Sequence, residues 1–447
     1  MITARAFAGK HYAVYGLARS GLATVQALLE SGATVTAWDA KEEARIKLLP
    51  GTGRGTSVAG GGVGDPGIGP SVSPDGLPPP RSGEDLTIAD LDTADLSEFD
   101  SLVVTPGLPL NRHPIAGRAR DAGVEIIGDI ELFARARPEL PPHKVVGITG
   151  TNGKSTTTAL VHHIFKTAGV PTTMGGNIGL PILAQDPLPD EGVYVLELSS
   201  YQIDLTQSLD CDVAVLLNIT PDHLDRYESF GAYAQSKERL LAMSYVSFDM
   251  RDFRDLTKFH QEEWPTLQGP HNLENATAAS NVARWLLGSR AAYRRGGTED
   301  VIEAALRTYP GLPHRMERIR EKDGVAFVND SKATNPTATA PALAAFERIR
   351  WICGGQAKTD NLDECAPHFG NVAKAYTIGE AGDLFARLLS PHMDVAECET
   401  LERAVGAAAA EASSGETVLL SPACASFDQF KDFEDRGDRF RALVGAL

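Results

Sequence analysis

Residues 144–160 limit the possible folds of this chain more tightly than any other stretch. The segment Lys144-Val-Val-Gly-Ile-Thr-Gly-Thr-Asn-Gly-Lys-Ser155 runs from a buried-strand pattern into STTTALVHHIFKTAG, where Leu160, Val161, Ile164 and Phe165 share a helical face. Glycines let a backbone approach a ligand closely, successive N–H groups point at phosphate oxygens, and the helix N-terminus adds partial positive charge. On that reading Lys154 reaches the β- and γ-phosphates, and Ser155 or Thr156 meets Mg²⁺. The glycines stand at 147, 150 and 153, so one residue too many separates Gly147 from Gly153 for a strict G-x-x-x-x-G-K-[ST] pattern. The competing reading is a plain glycine-rich turn between strand and helix.

A strand feeding such a loop belongs to a largely parallel sheet, and the rest of the chain keeps the same rhythm. Strands are predicted at 11–15, 33–38 and 101–104; at 144–148, 193–197 and 213–217; and at 325–328, 349–353, 374–378 and 417–420. A length of 447 residues exceeds one ordinary core, and these groups predict three α/β domains in series. Pro138, Pro141 and Pro142 mark the first boundary and Tyr309-Pro-Gly-Leu-Pro313 the second, giving 1–139, 140–312 and 313–447. Residues 51–83 are rich in Gly, Pro and Ser and read as a flexible loop inserted in the first domain. Residues 245–266 are charged and aromatic without a period, and the pattern assigns them no element.

A formal net charge of −17 argues against a nucleic-acid or anionic-membrane surface, so anionic substrates require local basic pockets. The five cysteines form no C-x-x-C pair, which fits a reducing compartment and neither a disulfide framework nor a zinc site. No signal-peptide pattern opens the chain, and no run reaches the ~18 apolar residues of a membrane span. The expectation is a cytoplasmic enzyme.

Other strand ends carry chemistry. Glu197 closes VYVLE, and His223 lies in Asn218-Ile-Thr-Pro-Asp-His-Leu-Asp-Arg-Tyr227 just after VAVLL. Open α/β sheets place ligands there, although alone these are a solvated charge and a loop hydrogen-bonder. Asn329-Asp-Ser-Lys-Ala-Thr-Asn335 follows VAFV and offers a carboxylate, an ammonium and hydroxyls, or merely a turn and a helix cap. Gly16-Leu-Ala-Arg-Ser-Gly21 follows the first strand but lacks a G-x-G core, so NAD is not compelling. A pyrophosphate at that helix start, with Asp39 near a ribose or base and Thr105-Pro-Gly-Leu-Pro-Leu-Asn111 as a second wall, remains open.

Together, Gly150-Thr-Asn-Gly-Lys-Ser155, Gly176-Asn-Ile-Gly179, Glu197-Leu-Ser-Ser-Tyr201, Asp222-His-Leu-Asp225, His271-Asn-Leu-Glu-Asn275 and Leu312-Pro-His-Arg315 resemble the Mur ligases of peptidoglycan synthesis. Asn329-Asp-Ser-Lys-Ala-Thr-Asn335 and Ser421-Pro-Ala-Cys-Ala-Ser-Phe-Asp-Gln-Phe430 narrow the resemblance to the branch that joins D-glutamate to UDP-N-acetylmuramoyl-L-alanine. The matches run in order over nearly the whole chain. The resemblance implies a Rossmann-like N-terminal domain for the UDP-sugar, a P-loop-type central ATPase domain and a Rossmann-like C-terminal domain for the amino acid.

It also implies roles. Gly150, Thr151, Asn152, Gly153, Lys154, Ser155 and Thr156 would hold ATP phosphates, with Asn272 and Asn275 toward adenine and Arg315 and Asp330 toward ribose or phosphates. Two Mg²⁺ ions would be held by Ser155, Glu197, His223 and Lys237, the last as a carbamate; Lys154, His223 and Lys237 form the catalytic set. Ala18, Arg19, Asp39, Thr105, Gly107 and Asn177 would line the UDP-sugar site, and Lys332, Thr334, Lys358, Ser426 and Phe427 the D-glutamate site. The implied chemistry is carboxylate attack on the γ-phosphate, then amine attack on the acyl phosphate, by a monomeric enzyme that closes between domains. The stretch between Lys237 and His271 is shorter than the family pattern, so part of the central domain after 244 is expected to be missing or rebuilt. A folylpolyglutamate-type ligase, an inactive nucleotide-binding protein and a NAD-linked dehydrogenase are the competing readings. The first lacks a preceding nucleotide-sugar domain, the second ignores the retained Lys154, Glu197, His223 and Lys237, and the third leaves the phosphate loop unexplained.

Overall fold

A computed structural model of the chain describes residues 1–46, 48, 85–222, 225–252, 261–290 and 297–447. Their strands form three sheets. The first contains β1 (His11–Tyr15), β2 (Thr34–Trp38), β3 (Leu86–Ile88), β4 (Ser101–Val104) and β5 (Glu125–Ile127), all parallel in the order β3-β2-β1-β4-β5. The second contains β6 (His143–Thr149), β7 (Thr172–Gly176), β8 (Gly192–Glu197), β9 (Cys211–Leu216) and β10 (Ser244–Asp249), parallel in the order β10-β9-β6-β8-β7. The third contains β11 (Glu317–Lys322), β12 (Val325–Asn329), β13 (Ile349–Gly354), β14 (Val372–Ile378), β15 (Asp394–Glu399) and β16 (Thr417–Leu420) in the order β11-β12-β16-β13-β14-β15. Only β11 runs antiparallel to its neighbour there.

The central strands are apolar because helices cover both faces, leaving no residue of β8 or β16 in contact with much water. All ten predicted strands form, with ends shifted by at most two residues. The six strands that periodicity did not find, β3, β5, β7, β10, β11 and β15, are the two edges of each sheet. β10, apart from Ser244, lies within the stretch to which the pattern assigned nothing, and it extends the second sheet beyond β9. The Gly/Pro-rich segment 51–83 lies outside the described residues.

The chain packs as two compact units, Met1–Asp255 with Ala278–Ile302, and Leu256–Thr277 with Glu303–Leu447. In the first unit, Ile2, Phe7, Val14 and Phe133 share one apolar cluster with Val145, Tyr194, Leu196, Ala214 and Leu240. The segment with Pro138, Pro141 and Pro142 therefore joins two sheets that share a core. The chain start reinforces this: the Met1 amine meets Asp186 at 2.6 Å, and Ile2 N–H donates to the Leu183 carbonyl at 3.0 Å. In the second unit the third sheet has apolar clusters on opposite faces, one around Trp351 and Phe385, the other around Tyr376 and Phe440. No described helix is long and apolar enough to cross a membrane.

Candidate active site

The order of the second sheet puts its topological switch at β6, flanked by β8 and β9, so the loops leaving these three strands open into one crevice. The loop after β6 turns on Gly150 (φ +155°) and Gly153 (φ +81°), the latter standing where the helix Lys154–Thr167 begins. Both angles are ones that a side chain opposes, and a Cβ on Gly150 would stand 3.0 Å from Leu217 Cβ. Gly147 differs. It sits inside β6, where an added Cβ would approach Cys211 Sγ and Leu240 Cδ1, both at 3.0 Å. It is a packing glycine, which explains the irregular motif spacing.

The N-cap of the helix that starts at Lys154 is Gly153, which has no side chain to cap it, and such a helix start suits an anionic ligand. Lys154 Nζ folds back onto the carbonyls of Gly150 (3.0 Å) and Thr151 (2.9 Å). Ser155 and Thr156 are buried at the helix start. Asn218, just after β9, braces the loop: its amide accepts from Asn152 N–H at 2.9 Å, and its carbonyl accepts from Thr151 N–H at 2.9 Å.

Glu197 ends β8 and is 2% exposed. Its Oε1 accepts from Asn177 Nδ2 at 3.1 Å, while Oε2 has no hydrogen-bond partner among the described residues. Lys237, on the helix Phe230–Ala242, is equally buried and donates to the Gly150 carbonyl at 2.9 Å. Its ammonium lies 4.8 Å from the centre of the Tyr233 ring. Burial, reinforced by the nearby Lys154 charge, pushes its pKa down to about 7. His223 lies outside the described residues. Among the described residues, no group of three His, Cys, Asp or Glu side chains could hold a metal ion.

At the carboxyl end of the first sheet, Asp39 follows β2 and accepts from the N–H groups of Leu17 (2.7 Å) and Lys41 (2.9 Å). Ala18 N-caps the helix that starts at Arg19. Thr105, after β4, packs so closely on Gly16 that a Cβ there would stand 2.2 Å from Thr105 Oγ1. Asn177 follows β7 and donates to Glu197, and in the same loop the Gly179 carbonyl accepts from Arg19 at 3.2 Å. Gly107 offers its carbonyl to Arg226 at 3.3 Å.

In the second unit, the loops after β12, β13 and β16 meet. Asp330 is buried, accepts from Ser421 Oγ (2.8 Å) and Met316 N–H (3.1 Å), and burial pushes its pKa up to about 7. Arg315 lies in a turn between His314 (φ +60°) and Met316 (φ +49°), and burial, reinforced by the Arg315 charge, lowers the pKa of His271. Asn275 Nδ2 donates to Asn272 Oδ1 at 3.2 Å. Lys332 lies 5.6 Å from the Phe433 ring centre, and Lys358 reaches Thr334 at 3.3 Å. Paired Gln356–Ala425 backbone bonds carry Lys358 alongside Ser426, and Phe427 is exposed.

Arg436, which no motif singled out, locks this cluster. Its buried guanidinium donates to Ser331 Oγ and to the carbonyls of Ser331, Cys424 and Ala425 over 2.8–3.3 Å. Within Asp-Arg-Gly-Asp it reads as a surface charge; the one available sign is Gly437 beside it, where a Cβ would collide with His314.

Residues 148–250 match the Mur ligase middle domain and 314–424 the Mur ligase glutamate ligase domain. The UDP-N-acetylmuramoylalanine–D-glutamate ligase of Novosphingobium aromaticivorans is 55% identical over all of this chain and 97% of its own length. The enzyme of that name from Sphingopyxis alaskensis is 51% identical over the whole of both. Among solved structures, UDP-N-acetylmuramate-alanine ligase MurC from Thermotoga maritima has a TM-score of 0.55 at 16% identity, covering 98% of this chain and 99% of its own. MurF ligase from the same organism, solved in complex with ADP, has a TM-score of 0.55 at 15% identity, covering 98% and 96%. With full-length relatives at this identity, the chain belongs to the Mur ligase family.

Proposed function

We propose that the chain joins D-glutamate to UDP-N-acetylmuramoyl-L-alanine at the expense of ATP, through an acyl phosphate. The observation that carries this reading is the convergence at the end of β6, where Lys154 and Lys237 share the Gly150 carbonyl and Glu197 stands buried with one oxygen unpaired among the described residues. An unpaired buried carboxylate oxygen is costly unless a cation meets it. Glu197 with Ser155, His223 and a carbamylated Lys237 suits two Mg²⁺ ions, which neutralise charge on the transferring phosphoryl group. A Lys237 amine with its pKa near 7 is about half neutral at pH 7, and the neutral form adds to CO₂ and loses a proton to give a carbamate.

Lys154 leaves its loop carbonyls for the β- and γ-phosphates, and the uncapped N–H groups of its helix bind phosphate oxygens. Asn272, Asn275, Arg315 and Asp330 hold the rest of the nucleotide. Ala18, Arg19, Asp39, Thr105, Gly107 and Asn177 hold the UDP-sugar and bring its carboxylate in line with the γ-phosphate. Lys332 and Lys358 pair with the D-glutamate carboxylates, aided by Thr334, Ser426 and Phe427, so that the amine faces the acyl phosphate. These assignments correspond to domains at 1–139, 140–312 and 313–447, working in the cytoplasm as a monomer.

Phosphate release measured over a panel of amino acids tests the reading. It should require UDP-N-acetylmuramoyl-L-alanine and D-glutamate together. Release with L-lysine or meso-diaminopimelate but not D-glutamate would move the chain to another member of the family.

A further inference from the structure

Between β9 and the helix Phe230–Ala242, residues 218–222 and 225–229 are described, and the two stretches are fastened to different parts of the first unit. The earlier stretch grips the phosphate loop: Thr220 N–H donates to Thr151 Oγ1 at 3.0 Å, in addition to the Asn218 bonds to Thr151 and Asn152. The later stretch grips the loop after β4. Arg226 donates to the carbonyls of Pro106 (3.3 Å), Gly107 (3.3 Å) and Leu108 (2.9 Å), and the Asp225 carbonyl accepts from Asn111 (3.0 Å) and Arg112 (2.7 Å).

A second connection runs through side chains. The Arg226 guanidinium lies 4.2 Å from the centre of the Tyr201 ring, which stacks on Tyr227 at 5.9 Å. Tyr227 packs on Tyr233 at 5.4 Å, and the Tyr233 hydroxyl meets Thr151 Oγ1 at 3.0 Å. This side-chain connection leads from the residues around Gly107 to Thr151.

We propose that Arg226 is a positioning residue that couples nucleotide-sugar binding at the β4 loop to nucleotide binding at the phosphate loop. The proposal rests on the function given above. A planar guanidinium gripping three consecutive carbonyls fixes how that loop sits against the loop after β9, which no shorter or monodentate side chain reproduces. Binding of the UDP-sugar against Thr105 and Gly107 then favours one placement of Asn218 and Thr220, and with them of Thr151 and Asn152. Coupling of this kind is read as the coupling factor, the fold change in affinity for one ligand when the other is bound.

The experiment titrates the full chain with Mg²⁺ and AMP-PNP, with and without saturating UDP-N-acetylmuramoyl-L-alanine. The wild-type protein should bind the nucleotide at least about fivefold more tightly in the presence of the sugar. In Arg226→Gln each ligand alone should bind within about twofold of wild type, while the coupling factor falls below two. A merely structural role would weaken both ligands and leave their ratio alone. Arg112→Ala, at an exposed tie to the same loop, should lower the factor by a smaller amount, and it decides the matter if Arg226→Gln fails to fold. An undiminished factor in the folded variants, or a wild type that binds both ligands without coupling, overturns the proposal. A wild type that binds neither ligand overturns the function itself.

Discussion

The carboxyl ends of the second and third sheets each bury one ionisable group close to its neutral form, by opposite routes. Lys237 is a base pushed down to about 7, beside a second ammonium and a backbone carbonyl. Asp330 is an acid pushed up to about 7, beside a hydroxyl and an N–H group. Around Lys237 the site is made by backbone: two glycines with positive φ, an uncapped helix start and the Gly150 carbonyl. Around Asp330 it is made by side chains, with Arg436 stitching two loops together. A backbone-built site depends on a few glycines and one cation, whereas a side-chain-built site spreads its dependence over a network.

That contrast sets the largest expected effect. Lys154→Ala removes the lysine of the phosphate loop itself and should lower phosphate release by at least about 10²–10³-fold with every amino acid. Circular dichroism should stay at wild-type values, because the Lys154 ammonium donates to the Gly150 and Thr151 carbonyls, which water can serve in its place. Activity within tenfold of wild type would sink the proposed mechanism.

Next come the two buried groups, with opposite pH signatures. For Lys237 the unfolded chain holds a proton between pH about 7 and 10.5 that the folded chain does not, so its contribution to stability is full above 10.5 and is lost as pH falls toward 7. Lys237→Met should therefore stabilise the ligand-free protein at pH 7 by about 2–4 kcal/mol while abolishing turnover. For Asp330 the folded chain holds the extra proton between pH 3.8 and about 7, so its contribution is full below 3.8 and is lost as pH rises through 7. Asp330→Asn should stabilise by about 1–3 kcal/mol at pH 7, less than the shift alone implies because two hydrogen bonds are altered. Denaturant midpoints across pH 4–10 in CO₂-free buffer check both. Equal slopes in wild type and variant would show that neither group titrates as described.

These groups also mark how far the sequence could be read. Every strand buried on both sides was legible, because burial enforces the Val/Ile runs of β6, β8 and β13. The missed strands lie at sheet edges: β11 is Glu-Arg-Ile-Arg-Glu-Lys and β10 exposes Tyr245 and Ser247, so neither carries an apolar run. Within the site, Gly150, Gly153 and Lys154 were legible because backbone chemistry demands glycine and a cation at fixed spacing. Lys237 and Arg436 were not, since each sits on an amphipathic helix where a charge normally faces water. Burial by distant parts of the chain turns them into site residues, and no local pattern encodes that. Arg226 was hidden for the same reason, as its partners lie over a hundred residues away.

The smallest effect separates packing from chemistry within the motif itself. Gly147→Ala introduces a Cβ 3.0 Å from the tips of Cys211 and Leu240, side chains that can give by a few tenths of an ångström. The cost should be about 1 kcal/mol of stability. Because Gly147 lies inside β6, two residues before its end, ATP affinity and phosphate release per folded molecule should stay within about twofold of wild type. Gly150→Ala is the contrast: it forces a side chain into φ +155° against Leu217 and should cripple nucleotide binding. If both alanines weaken AMP-PNP binding equally, Gly147 belongs to the phosphate-binding backbone after all. A loss confined to Gly150→Ala places the start of the functional loop after Thr149.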